Sequence, residues 1–237
     1  MSLPKINTPE YKLRIPSTDE ELTYRPFLVK EEKILLIAQE TGDEAAQYTA
    51  IQNLIKSCVT EELAVDKLPM FDLEYIFLNI RAKSVGEIAK LKIICPDDKK
   101  TTVDVDVDLT KIVVEMDETH NPKIQLTDEI GVLMSYPTMG MVEEHAVTGT
   151  DDPTGQLFKM VSECMYQIWE GEEVHDAQDY TDKERLDFLE SLNHEQFEQI
   201  QTFFSTMPTL KHEIEVTNPQ TNVKSTVTLQ GIQSFFE

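Results

Sequence analysis

Along Phe71 to Val85, FDLEYIFLNIRAKSV, apolar residues come too often for a helix with one dry side and one wet side. At about 100° of turn per residue, Phe71, Tyr75, Leu78 and Ala82 fall on one arc and Leu73, Ile76, Phe77 and Ile80 on the opposite one. Two thin polar stripes separate the arcs, Asp72, Asn79 and Lys83 on one side and Glu74 and Arg81 on the other. A surface helix shows a single apolar face. Two opposed faces predict a helix held between layers, its polar groups paired in place, at the centre of the fold.

The pattern on either side supplies the layers. Pro4, Pro9, Pro16 and Pro26 interrupt residues 1–30 so often that an extended arm is expected, with short strands at Tyr11 to Ile15 and Phe27 to Val29. Lys30 to Gln39 reads as a helix with Glu31 and Glu32 at the positive end of its dipole. Thr41 and Gly42 stop it, and Asp43 is placed to cap a second helix running to about Cys58, whose inner stripe is Ala46, Ala50, Ile51, Leu54, Ile55 and Cys58. After Gly86 the period shortens to two. Ile88 to Cys95 and Thr101 to Leu109 read as a hairpin around PDDKK, with Val103, Val105 and Val107 inward and Asp104, Asp106 and Asp108 outward. Ile112 to Met116 and Ile124 to Tyr136 extend the β region, predicting a small sheet against one arc of the central helix.

From Pro137 the helical period returns, in a short helix over Met139 to Val147 and, after the turn-rich connector TGTDDPTG, a longer one over Gln156 to Glu170. Its face is Leu157, Val161, Cys164, Met165 and Ile168, and Trp169 stands near its end. Thr181 with Glu184, and Asn193 with Gln196, have the spacing of capping boxes opening two more helices. Lys211 to Val216 and Asn222 to Leu229 form a second hairpin around TNPQT. The elements add up to an α+β fold: a helical bundle around a buried central helix (about 71–85), a small mainly antiparallel sheet and a second hairpin near the C-terminus. A single domain over 1–237 is expected, divided into an arm 1–30, a helical and β-hairpin half 31–136, and a helical half with the C-terminal hairpin, 137–237.

Charge narrows the function. With 44 acidic and 21 basic residues the formal net charge is −23, which repels phosphate backbones and anionic membrane surfaces, so neither nucleic acid nor membrane is an expected partner. No stretch approaches the roughly 18 apolar residues of a membrane span, and no apolar run of signal-peptide length opens the chain. Cys58, Cys95 and Cys164 are widely spaced in apolar surroundings, as expected for packed, reduced thiols in a cytoplasm.

Candidate chemistry is sparse. His120, His145, His175, His194 and His212 sit in five different segments, without a second histidine at metal-site spacing and without HExxH. Asp104, Asp106, Asp108 and Glu115 have the acidic spacing of a calcium loop, but Leu109 stands where such a loop needs glycine. Glu143, Glu144 and His145 supply an acid and a base on paper, with no second constellation to hold a substrate. The dinucleotide, P-loop and hydrolase signatures are missing. No cofactor or metal is expected, and the residues point to a protein that works by contact.

Two long strings carry a resemblance. YRPFLVKEEKILLIAQETGD (24–43) and LPMFDLEYIFLNIRAKSVGE (68–87) resemble the baseplate hub subunit and hub-assembly family of T-even-like contractile-tailed bacteriophages, the myoviruses. The resemblance implies a viral structural or chaperone-like assembly protein of the central baseplate hub, without catalytic residues. It would work in the host cytoplasm during assembly, or in the tail baseplate of the virion, beside other hub proteins and with room for an oligomer. Arg25, Pro26, Phe27, Lys30, Glu31 and Glu32, with Phe235 and Phe236 at the chain's end, are the candidate partner contacts. The plainer reading of the first six is that Phe27 and Leu28 tuck the arm onto the core while the charges cap and solubilise the next helix. From another class, a small metal-dependent enzyme or regulator would use the Asp104, Asp106, Asp108 strand with Glu143, Glu144 and His145.

Overall fold

The computed structural model describes residues 7–41, 44–141 and 152–231. The chain groups into two compact units, one made of the residues up to 115 together with those from 209 on, the other of residues 116–208. The fold is α+β, with six α-helices and four antiparallel sheets among the described residues.

In the first unit, β1 (Tyr11–Arg14) and β2 (Glu21–Tyr24) form a hairpin. The strand expected at Tyr11 to Ile15 is present as β1, and its pairing with β2 replaces the expected extended arm, because Pro9, Pro16 and Pro26 lie outside the paired residues and leave every ladder N–H in place. Helices α1 (Val29–Thr41) and α2 (Glu44–Cys58) follow. The strand expected at Phe27 to Val29 is absent, since Val29 already opens α1. Asp43, the expected cap of α2, lies outside the described residues.

The central helix is α3 (Met70–Ser84), and its two apolar arcs are buried as the pattern requires. Leu78, Ala82 and the part-buried Tyr75 pack into one core with residues of β3 (Ile88–Ile94), β4 (Thr102–Asp108) and the C-terminal hairpin. Leu73, Ile76, Phe77 and Ile80 are fully buried on the other side of the helix, and α3 also lies against α2. Of the stripe residues, Asp72 accepts from the backbone N–H of Ser17 at 3.1 Å and from its hydroxyl, and Asn79 donates to the Tyr75 carbonyl at 2.9 Å. Arg81 departs from the expectation, with Nη1 buried and given no protein acceptor.

The β3–β4 hairpin has the expected loop and inside-out alternation. The C-terminal hairpin, β10 (Thr209–Thr217) and β11 (Lys224–Gln230), gains a third strand, β5 (Val113–Glu115), which pairs with the start of β10. The tips of the two hairpins are tied together. Asn218, fully buried, donates to both oxygens of Asp97 at 3.0 and 3.1 Å, and the Thr221 hydroxyl donates to Asp97 at 2.6 Å.

The second unit holds a four-stranded sheet in the order β6 (Lys123–Gln125), β7 (Ile130–Met134), β8 (Met165–Glu170) and β9 (Glu173–Asp176). Its core joins Ile124, Val132 and Met165 of the sheet to Val161 of α4 (Pro153–Glu163), Leu189 of α5 (Asp182–Glu190) and Phe203 of α6 (His194–Thr206). Both expected capping boxes are present, Thr181 with Glu184 and Asn193 with Gln196. The helix expected over Gln156 to Glu170 is corrected: α4 ends at Glu163 and Met165 to Glu170 is a strand. Tyr166, Ile168 and Trp169 favour a pleated surface. Gly171, at φ +60°, makes the tight turn that folds β9 back on β8. The strand region expected from Ile124 to Tyr136 is split into β6 and β7, and the short helix expected from Met139 runs outside the described residues after Met141.

Candidate partner-docking surface

Arg25 follows β2 directly, and the backbone there is held by the end of α2. Tyr24 bridges Val59, and the Arg25 N–H donates to the Cys58 carbonyl at 2.9 Å. The guanidinium then spans two helix ends. Its Nη2 donates to the Ser57 carbonyl at 2.8 Å, in the last turn of α2, and to Glu31 Oε1 at 3.1 Å, in the first turn of α1. Its Nη1 donates to the Pro26 carbonyl at 2.9 Å. A cation at a helix C-terminus and an anion at a helix N-terminus are each in the favourable place.

Glu31 is only 4% exposed although it is charged. Its Oε2 accepts from the Leu28 backbone N–H at 2.8 Å, and Lys30 Nζ lies 3.2 Å from Oε1. Burial pushes the Glu31 carboxyl up, but Leu28, Arg25 and Lys30 together outweigh it and hold the group below its usual range. The Phe27 N–H donates to the Ser84 hydroxyl of α3 at 2.9 Å. The Cys58 thiol, pushed up to about 11 by burial, is beside Arg25 as a packed, protonated group.

The structure thus brings Arg25, Pro26, Phe27, Lys30, Glu31 and Glu32 together. Arg25 and Glu31 are turned inward, Pro26, Phe27 and Glu32 are part-buried, and Lys30 is exposed. Phe235 and Phe236 lie outside the described residues.

Beyond this lock α1 has an inverted polarity. Its buried residues are Glu31, Leu35 and Ala38, a narrow strip. Outward stand Val29, 79% exposed, Ile34 at 51%, and Leu36 and Ile37 at 53% each, with Leu28 at 40% just before the helix. Contiguous exposed apolar area of this kind marks an interaction site in a soluble protein. The sequence held a signal for it in the run Ile34, Leu35, Leu36, Ile37. Four consecutive residues spread over about 300° of helix, so a helix resting on the body by one strip must leave some of them in water.

The other candidate groups are accounted for where they are described. Asp104 and Asp106 face Lys92 and Lys90 across the hairpin, so each acid has a basic neighbour opposite it. Asp108 accepts from the Thr110 N–H and hydroxyl at 3.1 and 2.6 Å and pairs with Lys111 at 3.2 Å. Among the described residues no group of three or more His, Cys, Asp or Glu side chains is placed to hold a metal ion. Glu143, Glu144 and His145 lie outside those residues. In the second unit a cleft of about 340 Å³ has an apolar floor of Ile130, Ile168 and Phe188. Of its polar groups, Tyr180 engages His175 at 2.9 Å, Glu184 is held in its capping box and Arg185 Nη2 meets Asp182 at 2.5 Å, while Arg185 Nε is buried without a protein acceptor.

The exposed aliphatic side chains of α1 are a candidate docking face. The family model described as T4 bacteriophage base plate protein matches residues 8–237. The chain belongs to this family. No curated protein and no solved structure matches it. The match spans both strings on which the resemblance rested and continues through the second unit. As a base plate family member the chain is a phage baseplate structural protein, and no described helix is long and apolar enough to cross a membrane.

Proposed function

We propose that this chain, as one baseplate-hub module over residues 1–237, acts in building the central hub of the phage tail baseplate, through protein–protein contact and without catalysing a reaction. The observation that carries the reading is the outer face of α1, where Val29, Ile34, Leu36 and Ile37 stand in water on a helix locked at its start by Arg25 and Glu31. Lys30 and Glu32 flank that face and Pro26 and Phe27 lead into it, so the segment from Arg25 onward forms the contact surface. Phe235 and Phe236 are a further proposed contact.

The test is purification of the tagged chain from phage-infected cells, beside mass spectrometry of mature virions. Recovery with other hub proteins is expected, and it should be lost in Leu36→Glu. A fixed copy number in virions makes the chain a resident hub part; recovery from hub precursors but not from virions makes it an assembly factor. Recovery with no baseplate protein, together with absence from virions, would overturn the proposal.

A further inference from the structure

The inference here rests on the reading of α1 as a docking face and names what docks there. We propose that the occupant is a second copy of this chain, its α1 running antiparallel to the first about a twofold axis between Leu36 and Ile37.

The spacing of residues on the face is the first support. In a symmetric antiparallel pair, residues whose numbers add to a constant meet each other. With the axis between Leu36 and Ile37, Leu36 meets the partner's Ile37, and the same sum sets Lys33 against the partner's Glu40. All four side chains belong to exposed residues. They also share one face. At about 100° per residue, Leu36, Glu40, Lys33 and Ile37 fall within about 100° of arc.

Charge is the second support. Each copy carries −23, so two copies repel wherever their acidic surfaces meet. The α1 face is an exception. Glu31 is compensated by Arg25, and the charges that remain are the exposed Lys30, Lys33 and Glu40 with the half-buried Glu32. That balance is neutral, and it is self-complementary only when the helices run antiparallel. Lys33 and Glu40 make no ion pair with the described residues, so both are available to a partner. The outer face of β3–β4, which exposes Ile88 and Ile94, differs because its Lys90 and Lys92 already stand opposite Asp106 and Asp104.

The helix sets the strength. A 13-residue helix is about 20 Å long, and one such face covers less than the roughly 800 Å² per partner of a standard interface. The pair therefore belongs to the weak, reversible class, with a Kd on the order of 10–100 µM.

Sedimentation velocity on the full chain from about 5 to 500 µM, bracketing that Kd, tests the proposal. The weight-average mass should rise from 27.2 kDa toward twice that value. Leu36→Glu should remain monomeric with an unchanged circular dichroism spectrum. Lys33→Glu and Glu40→Lys should each weaken pairing by on the order of tenfold, and the double variant, which swaps the charges and keeps them complementary, should restore it. A dimer indifferent to Leu36→Glu, or one not restored in the double variant, overturns the pairing. A wild type monomeric throughout, whose recovery with hub proteins is nevertheless lost in Leu36→Glu, also overturns it but leaves α1 as the docking face for another protein. A monomer whose Leu36→Glu variant keeps every partner ends both readings.

Discussion

Replacing Arg25 by Ala removes the group that joins the end of α2 to the start of α1, and its contacts set the size of the loss. Three hydrogen bonds to oxygen go, to Glu31 Oε1, the Ser57 carbonyl and the Pro26 carbonyl, and with them the weaker one from Nη1 to Cys58 Sγ at 3.7 Å. Glu31 stays behind with its side chain 5% exposed, whereas the Arg25 side chain is 22% exposed. Stranding one member of a fully buried pair costs about 3–5 kcal/mol, and breaking an exposed pair about 0.2–1 kcal/mol. Arg25 stands between these limits, and Lys30 still compensates Glu31 in the variant, so a loss of about 2–3 kcal/mol is expected. Urea denaturation followed by far-ultraviolet circular dichroism at pH 7 should show a lower midpoint with an unchanged slope. A cycle of Arg25→Ala, Glu31→Gln and the double variant should give a coupling of about 1.5–2 kcal/mol. The sign of the pH dependence follows from Glu31. Its carboxyl is held below the ordinary 4.5, so the stability it supplies is complete above that value and is lost as pH falls through the lower folded value. The coupling must therefore disappear once Glu31 is protonated. Additive single effects at pH 7, with a coupling under about 0.5 kcal/mol, would refute this account of the lock.

Gly131 lies opposite Trp169, and a Cβ there would sit 2.0 Å from the indole Cζ2 and 2.6 Å from the Ile124 carbonyl oxygen. Gly131→Ala should cost about 3 kcal/mol and shift the emission of the chain's single tryptophan; an unchanged Tm and spectrum would contradict that packing. His120 lies 3.0 Å from both the Thr206 hydroxyl and the Tyr136 hydroxyl, and burial lowers its pKa against a smaller opposing pull from Asp117. Stability should be complete above the ordinary 6.5 and fall as pH drops below it, and a His120→Gln variant whose Tm falls as steeply would show that another group titrates. Asn218→Ala removes two of the three side-chain hydrogen bonds that tie Asp97 to the second hairpin and should lower the Tm, with faster amide exchange at both hairpin tips, residues 96–101 and 218–223; unchanged exchange there would disprove the tie.

Local periodicity carried the parts of this fold that depend on one element at a time. The two arcs of α3 were legible because each places four apolar residues, at least three of them large, on one side of a single helix, and no exposed helix tolerates both. The inward valines of β4 and the capping boxes at Thr181 and Asn193 were legible for the same reason: each is fixed within a few residues. Where pairing between distant segments decided, the sequence misled. Leu157, Val161, Cys164, Met165 and Ile168 do fit a helical stripe, yet Met165 to Glu170 is held as a strand by β7, more than thirty residues earlier. The strand expected within Ile112 to Met116 is present as Val113 to Glu115, but its partner lies near the far end of the chain and is met through only three residue pairs, too little to leave a pattern. On the proposed docking surface, Arg25 and Glu31 were candidates through the family resemblance, but the structure turns both inward, with Glu31 accepting from the Leu28 N–H at the start of α1 as in the plainer reading, and the outward residues are aliphatics that look like core in a string of letters.

That exchange of places makes the acidic composition and the apolar face of α1 two parts of one arrangement. Four exposed aliphatic side chains on one helix would invite random association in a neutral protein. A net charge of −23 on every copy opposes association in general, and the proposed α1 contact, where Lys30 and Lys33 offset Glu32 and Glu40, is a place where that repulsion is reduced. Salt separates the two contributions. Repulsion between whole molecules acts over the Debye length, about 10 Å at 0.1 M and about 3 Å at 1 M, whereas apolar contact at Leu36 and Ile37 does not depend on it. The Lys33 and Glu40 pairs are exposed and worth little in energy, so they set register more than strength. Self-association of the wild-type chain should therefore strengthen as sodium chloride rises from about 0.05 to 0.5 M, and Leu36→Glu should stay monomeric across the series. Association that weakens with salt would mean that attraction between charges holds the copies together, and the division of labour argued here, repulsion for selectivity and α1 for adhesion, would be wrong.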